Sequence, residues 1–381
     1  MTLKDFYTIK ERRQFIEKET GTNLTTIGNY SLDDIQASSK NCENMIGAAQ
    51  IPLGIAGPLR TINYKLRTKN YYIPLATTEG ALVASVNRGC KAVTQSGGVY
   101  VEVEDTGITR GPVFKTQGLK QSLEFKKWLD DHFKNLQEIA QTTSSHLALK
   151  KLGTRLVGKY VYVRFYFDTG LAMGMNMATI ATTAIADYIE NETGIRCLSI
   201  AGNFDTDKKA AWLNFISGRG KKVWAEVILP PDVLKTTLKT TAQKIYDVWL
   251  GKCLLGSIMS GSLGFNAHYA NIIAALFIAT GQDPSHVVEG SMGVTTTEVI
   301  EDSLHVSIYI PSCIVGVIGG GTALETQKES LSILGLKGKS EDSLKLAQIV
   351  GAAVLAGEIS LLASLSQGSL AKAHKKLGRG K

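Results

Sequence analysis

The chain has 381 residues, 44% of them hydrophobic and 20% charged, with 38 glycines, eight prolines and a net charge of +8. That length exceeds one ordinary single-core domain, and the composition excludes disordered and fibrous classes. The mild positive excess is compatible with a polyanionic partner, anionic small ligands or a solvated basic face, and charge alone does not choose among them.

Residues 1–20 place Phe6, Ile9, Phe15 and Ile16 at helical spacing and stop at Thr20-Gly21, which predicts a helical lead-in. Ile51 to Gly57 carries turn signals, and the alternating residues after it, through Tyr71-Tyr72-Ile73, read as strands. Ala84 to Val93 reads as a helix. From about 112 to 200 the pattern predicts a charged helix (Ser122 to Gln141), a strand (Tyr160 to Phe167), a second helix (Met173 to Asn191) and a strand (Arg196 to Ile200). This alternation suits a compact α+β module. Beyond it come long helices, a glycine-rich strand-and-loop region from Val306 to Thr322 and a final helix from about Ser340. The simplest organisation is a large domain interrupted by a small one.

The most apolar stretch, Ile349 to Leu365, is broken by Glu358, and the charged start, Met1 to Arg13, has no apolar signal core. A soluble cytoplasmic protein is the expectation. The five cysteines are widely spaced with no Cys-x-x-Cys pair, so reduced, mostly buried thiols are expected, with neither a disulfide framework nor a metal site.

Four segments carry chemistry-bearing residues, each with a plainer reading beside it. In Ala76-Thr77-Thr78-Glu79-Gly80 a strand gives way to a helix; Thr77 or Thr78 as a helix cap, with Glu79 complementing the dipole, is the plainer account. The following helix bears Ser85, Asn87 and Arg88, which suit either an anionic ligand or a surface face. Gly202 to Lys209 sets Lys208 and Lys209 beside Asp205 and Asp207, as a solvated turn or as adjacent cations that hold a carboxylate and polarise a carbonyl. The strand Tyr160 to Phe167 feeds the helix at Met173-Gly174-Met175-Asn176-Met177 through Asp168-Thr169-Gly170. That suits a phosphate-bearing ligand, although alternate methionines usually mean core. The run Gly319-Gly320-Gly321 is a further place for close backbone approach, or a strand turn. In Gly264 to Asn271, Asn271 lies at the edge of an apolar helix and needs a partner, while Asp283 before Pro284 reads as a turn residue.

Taken together and in this order, these segments resemble the class I 3-hydroxy-3-methylglutaryl-coenzyme A reductases in their soluble archaeal form. The resemblance runs from Arg12 to Arg379. It is carried by Glu43-Asn44-Met45-Ile46-Gly47, Ala76 to Gly80, Met173 to Met177, Asp207-Lys208-Lys209, Asn266 to Asn271, Gly281-Gln282-Asp283, the glycines from Gly319, and Leu355-Ala356-Gly357-Glu358. It implies an α+β fold in three parts. These are an N-terminal helical segment (1–48), a large domain built around a long central helix (49–111 and 200–381), and an inserted small ferredoxin-like α+β domain (112–199) that binds NADPH. Active sites between paired subunits are implied, hence a homodimer or higher homo-oligomer, with no nucleic-acid partner and no membrane.

The implied reaction turns the thioester of 3-hydroxy-3-methylglutaryl-coenzyme A into the primary alcohol of mevalonate, using two NADPH and passing through a hemithioacetal and an aldehyde; it is the committed step of isoprenoid biosynthesis by the mevalonate pathway. The resemblance assigns Lys208 to the oxyanion, a protonated Glu79 to proton supply and Asp283 to tuning both. Arg110, Asp207, Lys209, Lys252 and Asn271 match substrate-binding positions, and Ser85, Asn87 and Arg88 match coenzyme A contacts. Ser144, Met173, Gly174, Met175, Asn176, Gly319 and Gly320 match the cofactor site.

The pattern is departed from at four places. Ser369, in Gly368-Ser369-Leu370, stands where the family has a catalytic histidine, and His374 lies about 140° further around a regular helix. Leu171 replaces an aspartate before Ala-Met-Gly-Met-Asn, and Ala201 replaces a serine. Ser144-Ser145 lacks the following arginine, leaving Lys150 or Lys151 to compensate. Leu171 and Ser369 together favour the alternative of a catalytically impaired coenzyme A- or nucleotide-binding relative. Five of the cations, Lys372, Lys375, Lys376, Arg379 and Lys381, fall in the last ten residues, so most of the excess charge is a basic tail rather than a nucleic-acid footprint.

Overall fold

In the first helix, Ile9–Thr20, Thr8 and Glu11 form a reciprocal capping box, and Gly21, at φ 67°, ends it in the left-handed conformation. This is the helical lead-in expected from the spacing. The computed structural model describes residues 5–62 and 68–368, so Ser369, His374 and the basic tail lie outside the described residues.

Ten strands follow among the described residues: β1 (Leu53–Ile62), β2 (Thr68–Ala76), β3 (Val99–Arg110), β4 (Val113–Lys115), β5 (Ala148–Val157), β6 (Tyr160–Asp168), β7 (Arg196–Ser199), β8 (Gly220–Leu229), β9 (Val294–Ile300) and β10 (Ser303–Cys313). They make a mixed α/β fold with a large, mainly antiparallel sheet in the order β7-β4-β6-β3-β8-β10-β9; β5 lies on β6, and β1 joins β3 and β2. Among the described strands, only β1 and β3 pair in parallel.

Strand β3 belongs to two parts of the molecule. Tyr100 to Gly107 pairs with β8, and after a register shift at Gly107 the last residues, Ile108 to Arg110, pair with β6. A side chain at Gly107, φ 83°, would stand 2.8 Å from the Phe167 carbonyl oxygen, so the crossover needs glycine there. Two hydrophobic cores flank it. One packs the helices Leu82–Gln95, Tyr269–Thr280 and Asp342–Ser366 on β1, β2, β3, β8 and β10. The other gathers Phe114, Phe125, Leu129, Phe165, Ile185 and Ile189 from the 108–195 region.

Helix Asp342–Ser366 is long and apolar enough to cross a membrane by length and composition, yet most of it is buried in the first core. Its close packing on Leu82–Gln95 depends on Gly89, where a Cβ would come within 1.8 Å of the Ala356 carbonyl oxygen.

Several expectations are corrected. The charged helix expected over Ser122 to Gln141 is two helices, Leu119–Asp131 and Phe133–Thr143. At the break the His132 ring stacks on Trp128 and bonds its carbonyl oxygen, which competes with the helical ladder. Thr77 and Thr78 do not cap the next helix; its N-cap is Ala81, left-handed at φ 75°. The region read as long helices after residue 200 contains β8, whose buried Val223, Ala225, Val227 and Leu229 alternate with exposed Trp224 and Ile228. Apolar residues on both faces hide the two-residue period from the sequence.

Replacing Gly89 with Ala forces two backbones apart, and the expected cost is about 3 kcal/mol, the upper end for overpacking. Urea unfolding of Gly89→Ala checks this; an unchanged midpoint contradicts the packing.

Candidate active site

The Gly202–Lys209 loop holds three non-glycine residues in the left-handed region: Asn203 (φ 62°), Thr206 (φ 59°) and Lys208 (φ 55°). Each costs on the order of 1–3 kcal/mol and persists only if its surroundings over-determine it. They do. The buried Arg219 guanidinium bonds Asp207 Oδ1, Glu289 Oε1 and the Thr109 hydroxyl, each at 2.9 Å. Arg110, delivered by the end of β3, reaches Asp205 at 3.1 Å and Asp207 at 3.7 Å. Buried Asn214 bonds both the Thr206 hydroxyl and its carbonyl.

On this loop Lys208 Nζ lies 2.8 Å from Asp283 Oδ2. Partial burial works to raise the Asp283 pKa, but the Lys208 ammonium and the hydroxyl and amide of Ser285 outweigh it and hold the carboxyl at about 2. Asp283 is therefore both a turn residue, capping Pro284–His286, and an ion-pair partner.

The second pair is Glu79 with Asn271: Asn271 Nδ2 donates to Glu79 Oε2 at 2.7 Å. This is the partner that Asn271 needs. Asn271 sits in the first turn of helix Tyr269–Thr280, whose entry is fixed by the fully buried Glu358. That carboxylate accepts from the Ala267 and His268 amides (2.8 and 2.7 Å) and from the Thr295 hydroxyl (2.6 Å). Asp283 lies just beyond the other end. Nine helical steps from Asn271 to Thr280 span about 14 Å, so within one chain the two pairs stand at opposite ends of this helix. A cleft of about 380 Å³ runs from Glu79 along Ala270, Asn271, Ala274 and Ile278 to Val287.

The residues matched to the cofactor site do gather. Helix Met175–Thr193 starts at Gly174 (φ 90°) with no side-chain cap, leaving its first amides for an anion. Ser144 Oγ reaches Met177 Sδ at 3.7 Å. The isolated bridge from Ala172 to Ile318 joins the segment before Met173 to the one that leads into Gly319 and Gly320, and side chains at these two glycines would meet open space. Backbone donors and an open glycine surface fit a dinucleotide. Met175 Sδ also contacts Arg219 Nη2 at 2.8 Å, joining this turn to the Lys208 loop. Leu171 packs against the first core, while Lys150 pairs with Asp168 and Lys151 lies over the Tyr166 ring.

Ser85, Asn87 and Arg88 are occupied internally. Arg88 bonds the Ser360 hydroxyl and carbonyl and the Ser364 hydroxyl of the buried helix, Ser85 bonds Ser360, and Asn87 accepts from the Gly57 amide. Lys252 lines a separate polar cleft of about 470 Å³ with Ser257, Ser260, Ser262 and Asn266; Ala210, two residues past Lys208, is on its rim. Lys209 Nζ bonds the Asp207 carbonyl at 3.2 Å.

Asp207, His286 and Glu289 bring metal-ligand atoms within 4.8 Å of one another, but Arg219 bonds both carboxylates and its fixed charge opposes a cation. Burial pushes the thiols of Cys90, Cys253 and Cys313 up to about 12, which keeps them protonated. Arg219, Asn214 and Glu289 escape sequence reasoning, and Glu358, part of the motif Leu355 to Glu358, is given no site role by it. A signal was present in Gly218-Arg219-Gly220, a cation between glycines ahead of a strand.

The family model described as hydroxymethylglutaryl-coenzyme A reductase matches residues 8–379. The 3-hydroxy-3-methylglutaryl-coenzyme A reductase of Methanocaldococcus jannaschii is 50% identical over 374 residues, covering 97% of this chain and 92% of the relative. That of Methanothermobacter thermautotrophicus is 47% identical, covering 98% and 94%. A solved class II 3-hydroxy-3-methylglutaryl-CoA reductase of Streptococcus pneumoniae, bound to NADPH in open conformations, shares the fold at 17% identity, with a TM-score of 0.69 over 94% of this chain and 97% of that one.

Because the Asp283 carboxyl is lowered in the folded state, its stabilising contribution is fully present above the ordinary carboxylate pKa of about 4 and is lost as pH falls through about 2. The stability gap between the wild-type protein and Asp283→Asn should therefore be constant from pH 7 to 5 and narrow below 4. Unfolding titrations across that range measure it, and a gap independent of pH contradicts the ion pair.

Proposed function

The chain belongs to the hydroxymethylglutaryl-coenzyme A reductase family, and we propose that the pairs Lys208–Asp283 and Glu79–Asn271 carry its chemistry. The enzyme reduces 3-hydroxy-3-methylglutaryl-coenzyme A to mevalonate and coenzyme A, consuming two NADPH. NADPH, when bound, supplies the hydride for each of the two reductions. We assign its binding to Ser144, the turn and helix start at Met173, Gly174, Met175 and Asn176, and Gly319 and Gly320.

Each reduction leaves negative charge on the substrate's carbonyl oxygen. The Lys208 ammonium, oriented by Asp283, is the group proposed to stabilise it, since a fixed cation aimed at developing charge needs little reorganisation. Between the reductions the carbon–sulfur bond breaks and coenzyme A leaves as a thiolate. Glu79, exposed and held by Asn271, is proposed to deliver the proton that the oxygen takes up. Arg110, Asp207, Lys209 and Lys252 are assigned to the substrate, and Ser85, Asn87 and Arg88 to coenzyme A. The observation that carries this reading is the 2.8 Å Lys208–Asp283 pair on a loop that buried charges hold in a costly conformation. Retention of both pairs favours a working reductase over an impaired relative.

The proposal extends to a cytoplasmic homodimer with shared sites. It is supported by the burial of the one helix among the described residues that is long and apolar enough to cross a membrane, and by the placement of the two pairs at opposite ends of a helix, which a second copy overcomes if Glu79 faces the partner's Lys208. We also read 1–48 as the N-terminal segment, 49–111 and 200–381 as the large domain around its central helix, and 112–199 as a ferredoxin-like NADPH domain. The separate second core supports that division.

Lys208→Ala should lower the rate of NADPH oxidation with the coenzyme A substrate by about 10²–10³. A variant as fast as the wild type would sink the assignment. Co-expressed Glu79→Gln and Lys208→Ala chains, each inactive alone, should recover about a quarter of wild-type activity, because half of the symmetric dimers then hold one intact site. No recovery would place both residues in a site made by one chain.

A further inference from the structure

Two fully buried groups near Lys208 have no part in the chemistry above: Glu289 and His286. Both lie on the short helical stretch that follows Asp283, formed by Pro284–His286 and Val287–Gly290. Glu289 Oε1 accepts from the Lys208 backbone amide at 2.5 Å and from Arg219 Nη1 at 2.9 Å. Its other oxygen faces His286 Nδ1 at 3.4 Å, and His286 Nε2 faces Asp283 Oδ2 at 3.9 Å. The stretch from Asp283 to Glu289 thus takes one lysine at two points, the ammonium through Asp283 and the main chain through Glu289.

The second grip matters because of the backbone. Lys208 is left-handed at φ 55°, a conformation its side chain disfavours, and it lies on an exposed part of the loop. Asp283 alone fixes where the ammonium rests but not the residue that carries it, and a misplacement of about 1 Å at a reacting centre costs on the order of a hundredfold in rate. We propose that Glu289 is a positioning residue for Lys208: its carboxylate, charge-balanced by Arg219 and separated from Asp283 by the His286 ring, locks the lysine main chain so that the ammonium meets the reacting oxygen. The inference rests on the assignment of Lys208 to the oxyanion.

Amide hydrogen exchange on the wild-type holoenzyme reads the grip directly. The Lys208 amide should exchange at least about a hundredfold more slowly than that of Lys209. Equal, fast exchange at the two overturns the proposal, even if every variant misfolds. In kinetics, Glu289→Gln keeps an oxygen acceptor and should retain kcat within about threefold, whereas Glu289→Met keeps the length, loses the acceptor and should lose about a hundredfold in kcat with KM for both substrates nearly unchanged. Met retaining full kcat, or Gln losing as much as Met, overturns it. Lys208→Ala measured alongside separates the failures. If that variant stays active, the underlying assignment falls; if it is inactive while Glu289→Met is fully active, only the positioning role falls.

Discussion

One buried guanidinium ties together the parts on which this molecule's candidate site depends. Arg219 is fully enclosed and bonds β3 through Thr109, the Lys208 loop through Asp207, the stretch after Asp283 through Glu289, and the turn proposed to hold the cofactor through Met175. A charge removed from water at this depth is tolerated because two carboxylates meet it. Losing one partner of such a pair typically costs about 3–5 kcal/mol, since the other charge is then stranded. The arrangement is worth less as net stability than as geometry: it compels a loop with three left-handed residues to keep one shape.

A second buried charge does comparable work for the other pair. Glu358, in the middle of the most buried helix, accepts the amides at the start of helix Tyr269–Thr280, where a negative charge also complements the helix dipole. The far end of that helix is pinned by Gly281 against Gly321 and by Gln282 against the Gly316 amide. With both ends fixed, the helix works as a spacer of set length between Asn271 and Asp283. On the proposed reading, its length is what makes a second subunit necessary.

Much of this was legible in local pattern. The spacing of Ile9–Thr20 and its stop at Gly21, the apolar run of Tyr269–Thr280 and the strand, turn and helix around Gly174 are each dictated by neighbours in sequence, and they appear close to where they were expected. The unmet amide of Asn271 announced a partner. Strand β8 was hidden because Trp224 and Ile228 keep its outer face apolar, and the break at His132 was hidden because a side chain captures a carbonyl that helical periodicity assumes is free. Arg219, Glu289 and Glu358 were not read as site residues, because a buried ion pair joins positions far apart in the chain and leaves no periodic trace.

The sequence by itself determined which residue types are present for the chemistry, the order of their motifs and the family to which those motifs point, because short motifs and helix boundaries are set within a few residues of the chain. Only the tertiary structure decided which of them meet. It joined Glu79 to Asn271 and Lys208 to Asp283, kept those pairs at the two ends of one helix, and turned Arg88 inward onto Ser360 and Ser364. The reason is physical: these contacts close over tens to hundreds of residues, and their geometry follows from how two cores pack against β3 and from where buried charges find partners.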